Sequence, residues 1–193
     1  RDWQKEEIDL FTQIATQVGL MLEQANLIEQ LETKKERVQI FNELTRRIRK
    51  SSNQEDILKT TVEEIRKEIK ADRIIVCGIE PDDSILAESV VSGVAKALSI
   101  NFDRACLLES YGDRDKGDRV VAIDNIERTN LSPSCLAQLR KLNAKACLIA
   151  PIFREEQLFG LLIAQDCSNP RSWQQFELDL LGQIAIQVGF ALD

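Results

Sequence analysis

Histidine occurs nowhere in the 193 residues. That absence removes His-ligated haem, imidazole-containing zinc sites and every Ser-His or Cys-His nucleophile pair. An enzyme built on this chain would be left with carboxylates, lysine or a bare thiol. A basic excess is also missing: 25 Lys and Arg stand against 32 Asp and Glu, a formal net charge of -7. Nucleic-acid binding runs on neutralising phosphates, so no nucleic-acid partner is expected. No stretch approaches the roughly 18 uninterrupted apolar residues of a membrane-spanning helix, and no membrane contact is expected. The start, Arg1-Asp2-Trp3-Gln4-Lys5, carries neither a signal-peptide pattern nor an initiator Met. It reads as an excised fragment from which localisation signals could have been cut away; a cytoplasmic location is expected from the cysteines instead. The five cysteines, Cys77, Cys106, Cys135, Cys147 and Cys167, include no C-x-x-C pair. The spacing argues for reduced thiols and against a disulfide framework or a clustered zinc site.

The two ends of the chain repeat each other. Residues 1–22 and 171–192 match at thirteen of twenty-two positions with an offset of 170. Arg1/Arg171, Trp3/Trp173, Asp9/Asp179 and Gln13-Ile14-Ala15/Gln183-Ile184-Ala185 are among the identities. One repeat unit is therefore about 170 residues, and the chain opens on the last helix of a preceding unit. From Gln4 to Lys50 there is no Pro and one Gly, Gly19. Apolar residues recur there at helical spacing, interrupted at Lys34-Lys35-Glu36-Arg37. Leu31, Val38, Phe41, Leu44 and Ile48 fall near one stripe, which predicts a parallel homodimer through residues 1–50.

A second helix is expected over Asn53–Ile69. The period then becomes that of strands: Arg73–Ile79, a turn at Pro81-Asp82-Asp83, and Ile85–Ser92. Residues 93–118 read as irregular, Val120–Ile123 as a short strand. Ser132-Pro133 starts a helix, since Ser caps and Pro suits the first turn. Ala144–Phe153 and Gln157–Asp166 form a hairpin, and a terminal helix begins at Ser172. The fold expected is α+β, an antiparallel sheet flanked by helices, with a long connecting helix over 1–50 and the domain proper over 51–193.

Ala144-Lys145-Ala146-Cys147-Leu148-Ile149-Ala150-Pro151-Ile152, Leu158-Phe159-Gly160-Leu161-Leu162-Ile163-Ala164, Cys167-Ser168, Pro170-Arg171 and Trp173 resemble a GAF domain. More narrowly they resemble the GAF domains of cyanobacteriochromes, the phytochrome-related photoreceptors. The resemblance implies a linear tetrapyrrole, phycocyanobilin or biliverdin, held by a cysteine thioether on a helix, and no enzymatic activity. It also implies neighbouring GAF and output domains in a longer chain, with photoisomerisation transmitted through the long helix.

Asn130-Leu131-Ser132-Pro133-Ser134-Cys135 matches the linking segment of that family, which makes Cys135 the candidate thiol. Its place in the first turn of a helix agrees, because free N–H groups and the helix dipole favour a thiolate. A small apolar residue packing in the core is the alternative. Asp103-Arg104-Ala105-Cys106-Leu107 approximates the family's D-x-C-F motif, so Cys106 is either a second linkage or ordinary packing. Asp103 is a candidate acceptor for pyrrole N–H groups, or a helix cap. Arg114 and Arg119 are candidates to clamp propionates, since Arg holds carboxylates bidentately, or are solvated. Leu136 and Gln165 stand where the family has imidazoles, leaving Glu88 or Asp103 to carry the proton contacts and implying a red or far-red absorbing dark state. Cys77 and Cys147 read as core. Two alternatives compete with photosensing. One is an unpigmented GAF module that dimerises and relays signals. The other is a small-ligand sensor, suggested by Asn101-Phe102-Asp103, which is a weak match to a cyclic-nucleotide signature.

Overall fold

The computed structural model describes residues 3–51, 53–79, 84–98, 106, 109 and 120–193. The chain divides into two compact units, residues 1–40 and 41–193. One helix, α1 (Lys5–Arg49), begins in the first and ends in the second. In the second unit α2 (Gln54–Ile69) is followed by β1 (Arg73–Gly78), β2 (Ile85–Val90), β3 (Val121–Ile123), α3 (Pro133–Lys141), β4 (Ala146–Arg154), β5 (Gln157–Asp166) and α4 (Gln175–Leu192). The strands form one sheet in the order β2-β1-β5-β4-β3, and each neighbouring pair is antiparallel. The expected elements are therefore present, with the terminal helix starting a few residues later. The Pro81-Asp82-Asp83 turn and most of the irregular stretch lie outside the described residues.

Local chemistry accounts for the boundaries. Asn53 Oδ1 accepts from Asp56 N at 2.8 Å and caps α2, whose far end stops on left-handed Lys70 at φ 54°. Ser132 Oγ accepts from Cys135 N at 3.3 Å with Pro133 at the first position of α3. Glu177 Oε2 accepts from Gln174 N at 2.8 Å at the start of α4. The β4–β5 hairpin turns on Glu155 and Glu156, both left-handed at φ 44° and 64°, as a two-residue turn of this hand requires.

All six residues of β1 are buried, because both sheet faces are covered. Alternation then sorts the side chains. Ile75, Cys77, Ile149, Leu161 and Ile163 share one face with Ile123, Ile126, Leu139 and both Cys106 and Cys135. On the opposite side, α2 packs against β1 and β2, and α4 against β4. Close approach there is set by Gly189, where an added Cβ would collide with the carbonyl oxygen of Phe153.

Two findings revise the reading of α1. Leu44 and Ile48 are 3% and 0% exposed, buried within the second unit's own core, so they are not free for a dimer seam. A helical stripe looks the same in sequence whether its own domain or a partner covers it. The repeats also differ in burial. Leu180, Leu181, Ile184, Val188 and Leu192 are buried, whereas their mates Leu10, Phe11, Ile14, Val18 and Leu22 are exposed. Gly19, the mate of Gly189, has nothing within 4 Å of its would-be Cβ.

Candidate functional site

The sheet face that carries Cys135 gathers several of the singled-out residues. The strand register sets Gln165 opposite Arg73 and also opposite Cys147, and sets Glu88 opposite Ile75. Paired residues point to the same face, so Glu88, Gln165, Arg73 and Cys147 share it with Cys135. Arg73 ties this group together. Its side chain and that of Glu88 are each 1% exposed, and its Nε faces Glu88 Oε1 at 3.3 Å. Its Nη1 donates to Gln165 Oε1 at 2.8 Å and to Leu142 O at 3.0 Å, and its Nη2 to Ala95 O at 2.5 Å. Glu88 in turn accepts from Ala97 N at 2.6 Å and from Leu98 N at 3.3 Å. The guanidinium thus forms an ion pair with a buried carboxylate, its Nε making no hydrogen bond among the described residues, and donates to three oxygens from separate segments, which a fork of fixed donors can do and a lysine cannot. Gln165 keeps one buried atom, Nε2, with no well-aligned hydrogen bond among the described residues; its amide lies against the Cys147 thiol across the β4–β5 pair, where burial raises that thiol's pKa and the amide lowers it in part. Buried donors are rarely left without a well-aligned partner.

Cys135 corrects the expectation of reduced, separate thiols. It forms a disulfide with Cys106, Cα to Cα 4.8 Å across a separation of 29 residues. The reason is tertiary: the fold brings two segments distant in sequence within disulfide reach, and no spacing rule reports that. Cys106 is therefore not an isolated packing residue. A second tie joins the same segments, where Glu109 Oε2 accepts from Ser132 Oγ at 2.6 Å. Leu136 is partly buried against the cluster. Asp103, Arg114 and Arg119 lie outside the described residues.

The other cysteines behave differently. Burial pushes the thiols of Cys77 and Cys147 up to about 12, since the apolar core disfavours the charged form. They stay neutral, hence unreactive, below that pH. Cys167 is partly exposed and burial raises its thiol as well. Native protein treated with iodoacetamide at pH 8 without reductant is expected to be alkylated at Cys167 alone, with Cys77 and Cys147 labelled only after unfolding. Peptide mass spectrometry reads this directly, and labelling of either core thiol in the folded state would contradict the packing described. Among the described residues no group of three or more Cys, Asp or Glu side chains is placed to hold a metal ion, and no helix is long and apolar enough to cross a membrane.

Residues 53–192 match the GAF domain family. A Synechocystis sp. protein named as a methyl-accepting chemotaxis protein is 36% identical over 193 residues, 99% of this chain, which spans only 19% of that protein. The solved GAF domain of the cyanobacteriochrome TePixJ is 31% identical, with TM-score 0.67 over 75% of this chain and 92% of its own. A solved far-red absorbing dark state with bound biliverdin IXα is 26% identical, with TM-score 0.71 over 79% and 97%.

Proposed function

We propose that this chain, which belongs to the GAF domain family and within it to the cyanobacteriochrome kind, is a light-sensing unit holding a linear tetrapyrrole through Cys135. The observation that carries the reading is the placement of Cys135. It lies in the first turn of a Ser-capped helix, with its side chain in the cluster on the sheet face that also bears Gln165. The residues fit such a group in a second respect. Gln165 Nε2, buried and without an oxygen acceptor among the described residues, is a donor suited to a carbonyl oxygen at the position where the resemblance expects imidazole. A bound bilin would supply visible absorption and double-bond isomerisation. The chain supplies the thiol, a dry apolar wall of Ile75, Ile149 and Ile163, and a fixed polar edge at Arg73, Glu88 and Gln165. The reading concerns the dithiol form, since a divalent sulfur already bonded to its own Cβ and to a second sulfur has no bond left for a ligand carbon.

The test is covalent attachment. Wild-type chain produced with phycocyanobilin, reduced, denatured and run on a gel with zinc is expected to fluoresce, and Cys135→Ala to give no band. The dark state is expected in the red or far-red, unchanged in Cys106→Ala. A colourless, non-fluorescent wild-type chain under reducing conditions would overturn the reading. It would select the unpigmented relay module, which the packed, disulfide-filled cluster favours.

The same proposal covers the long helix. The exposed stripe Leu10, Phe11, Ile14, Val18 and Leu22 repeats the residues by which α4 meets its sheet, and Gly19 repeats the glycine that permits backbone contact. It is the docking face for the sheet of a preceding GAF unit. The signal passes along α1 between units and, through a homodimer, toward output domains elsewhere in the full protein.

A further inference from the structure

We infer that Cys106 and Cys135 are a reversible thiol–disulfide pair that sets whether the Cys135 sulfur is open to an electrophilic ligand. The consequence for the ligand rests on the proposed attachment at Cys135; the pair itself does not.

Of the five cysteines, these two are joined, while Cys77, Cys147 and Cys167 are free. The two segments are also held by a bond that does not involve sulfur, from Ser132 Oγ to Glu109 Oε2 at 2.6 Å. Reduction therefore leaves the thiols anchored as neighbours, and re-oxidation needs no new long-range search. The two sulfurs are not equivalent. Cys135 lies in the first turn of α3, whose N–H groups and dipole favour a thiolate on that sulfur. In thiol–disulfide exchange the sulfur with the lower pKa is the better leaving group. The expected reduction is attack by a small-molecule thiolate on Cys106 Sγ. The S–S bond breaks, its electron pair leaves on Cys135 as thiolate, and Cys106 is held in a mixed disulfide. A second small thiol then displaces Cys106 and takes the first as its own disulfide. Two electrons pass from two small thiols to the protein pair, and oxidised glutathione reverses the sequence. Burial of both residues, 3% and 0% exposed, means that exchange waits on local opening, so it is slower than for an exposed disulfide.

The 193-residue chain equilibrated in reduced and oxidised glutathione mixtures, acid-quenched and alkylated, tests this. Wild type should move between a form lighter by two hydrogen atoms, with Cys106 and Cys135 unlabelled, and a form with both labelled. Cys106→Ser should leave Cys135 labelled throughout. Given phycocyanobilin, oxidised wild type should form adduct at least tenfold more slowly than reduced wild type, whereas Cys106→Ser should load equally in both buffers. Labelling of both cysteines in wild type under oxidising conditions would overturn the pair. Equal loading of oxidised and reduced wild type would overturn the gate. A pair that forms and reverses while no buffer gives adduct supports the thiol switch and sinks only the attachment reading.

Discussion

Arg73→Met is expected to cost the folded state about 3–5 kcal/mol, the loss typical of removing one member of a buried ion pair. The substitution leaves the Glu88 carboxylate, 1% exposed, with the Ala97 and Leu98 amides as its hydrogen-bond donors among the described residues. It also strips the guanidinium donor from Ala95 O and Gln165 Oε1 and leaves Leu142 O with the weak Cys167 thiol donor, and each buried acceptor left unpaired adds to the cost. Against a whole-domain stability of about 5–15 kcal/mol the variant is close to unfolding at ambient temperature. Lysine does not rescue it, because one ammonium cannot reach oxygens on β5, on the residue after α3 and near Ala95 together. Arg73→Met with Glu88→Leu should lose less than the sum of the two single changes, since no bare charge remains. Urea denaturation followed by circular dichroism measures all four chains. A single-variant cost below about 1 kcal/mol, within the range of an exposed pair, would show that the guanidinium does not bridge these segments.

That cluster also marks the limit of what the sequence discloses. Strand and helix positions were legible because their causes are local: the short β-branched apolar run within Arg73–Gly78, the Ser132-Pro133 start, the proline-free helical spacing of α1. The role of Arg73 was not, since an arginine at the first position of a strand ordinarily reads as solvated. Only the register, which places Arg73 beside Gln165 on β5 while β2 supplies Glu88, shows that it must be buried and paired. Glu88 and Gln165 were picked out from a resemblance, yet the partner that holds both was missed. An apolar strand with one charged residue on an otherwise buried face was the available hint. The Cys106–Cys135 bond was hidden for the same reason, as closure across 29 residues is a property of topology.

Leu31→Glu with Val38→Glu is expected to convert a parallel dimer to monomer and leave the sheet folded. At about 3.6 residues per turn, Leu20, Leu27, Leu31 and Val38 lie roughly 150° around α1 from the stripe assigned to a preceding sheet. Their spacings of seven, four and seven are those of a coiled-coil seam. They are 57%, 53%, 65% and 51% exposed, and full burial of such side chains is worth about 1.5–3 kcal/mol each. Four from each of two helices outweigh association costs of about 4–15 kcal/mol only if most of them are buried. Two substitutions in each helix therefore suffice to tip the balance, and in parallel register they also bring like charges face to face. Leu44→Glu should behave differently, lowering the urea midpoint without selective dissociation, because Leu44 is 3% exposed within residues 41–193. Sedimentation velocity at tens of micromolar, paired with urea melts, separates the two behaviours. A wild-type monomer, or a dimer indifferent to Leu31→Glu with Val38→Glu, would leave α1 as a connector between units with no seam of its own.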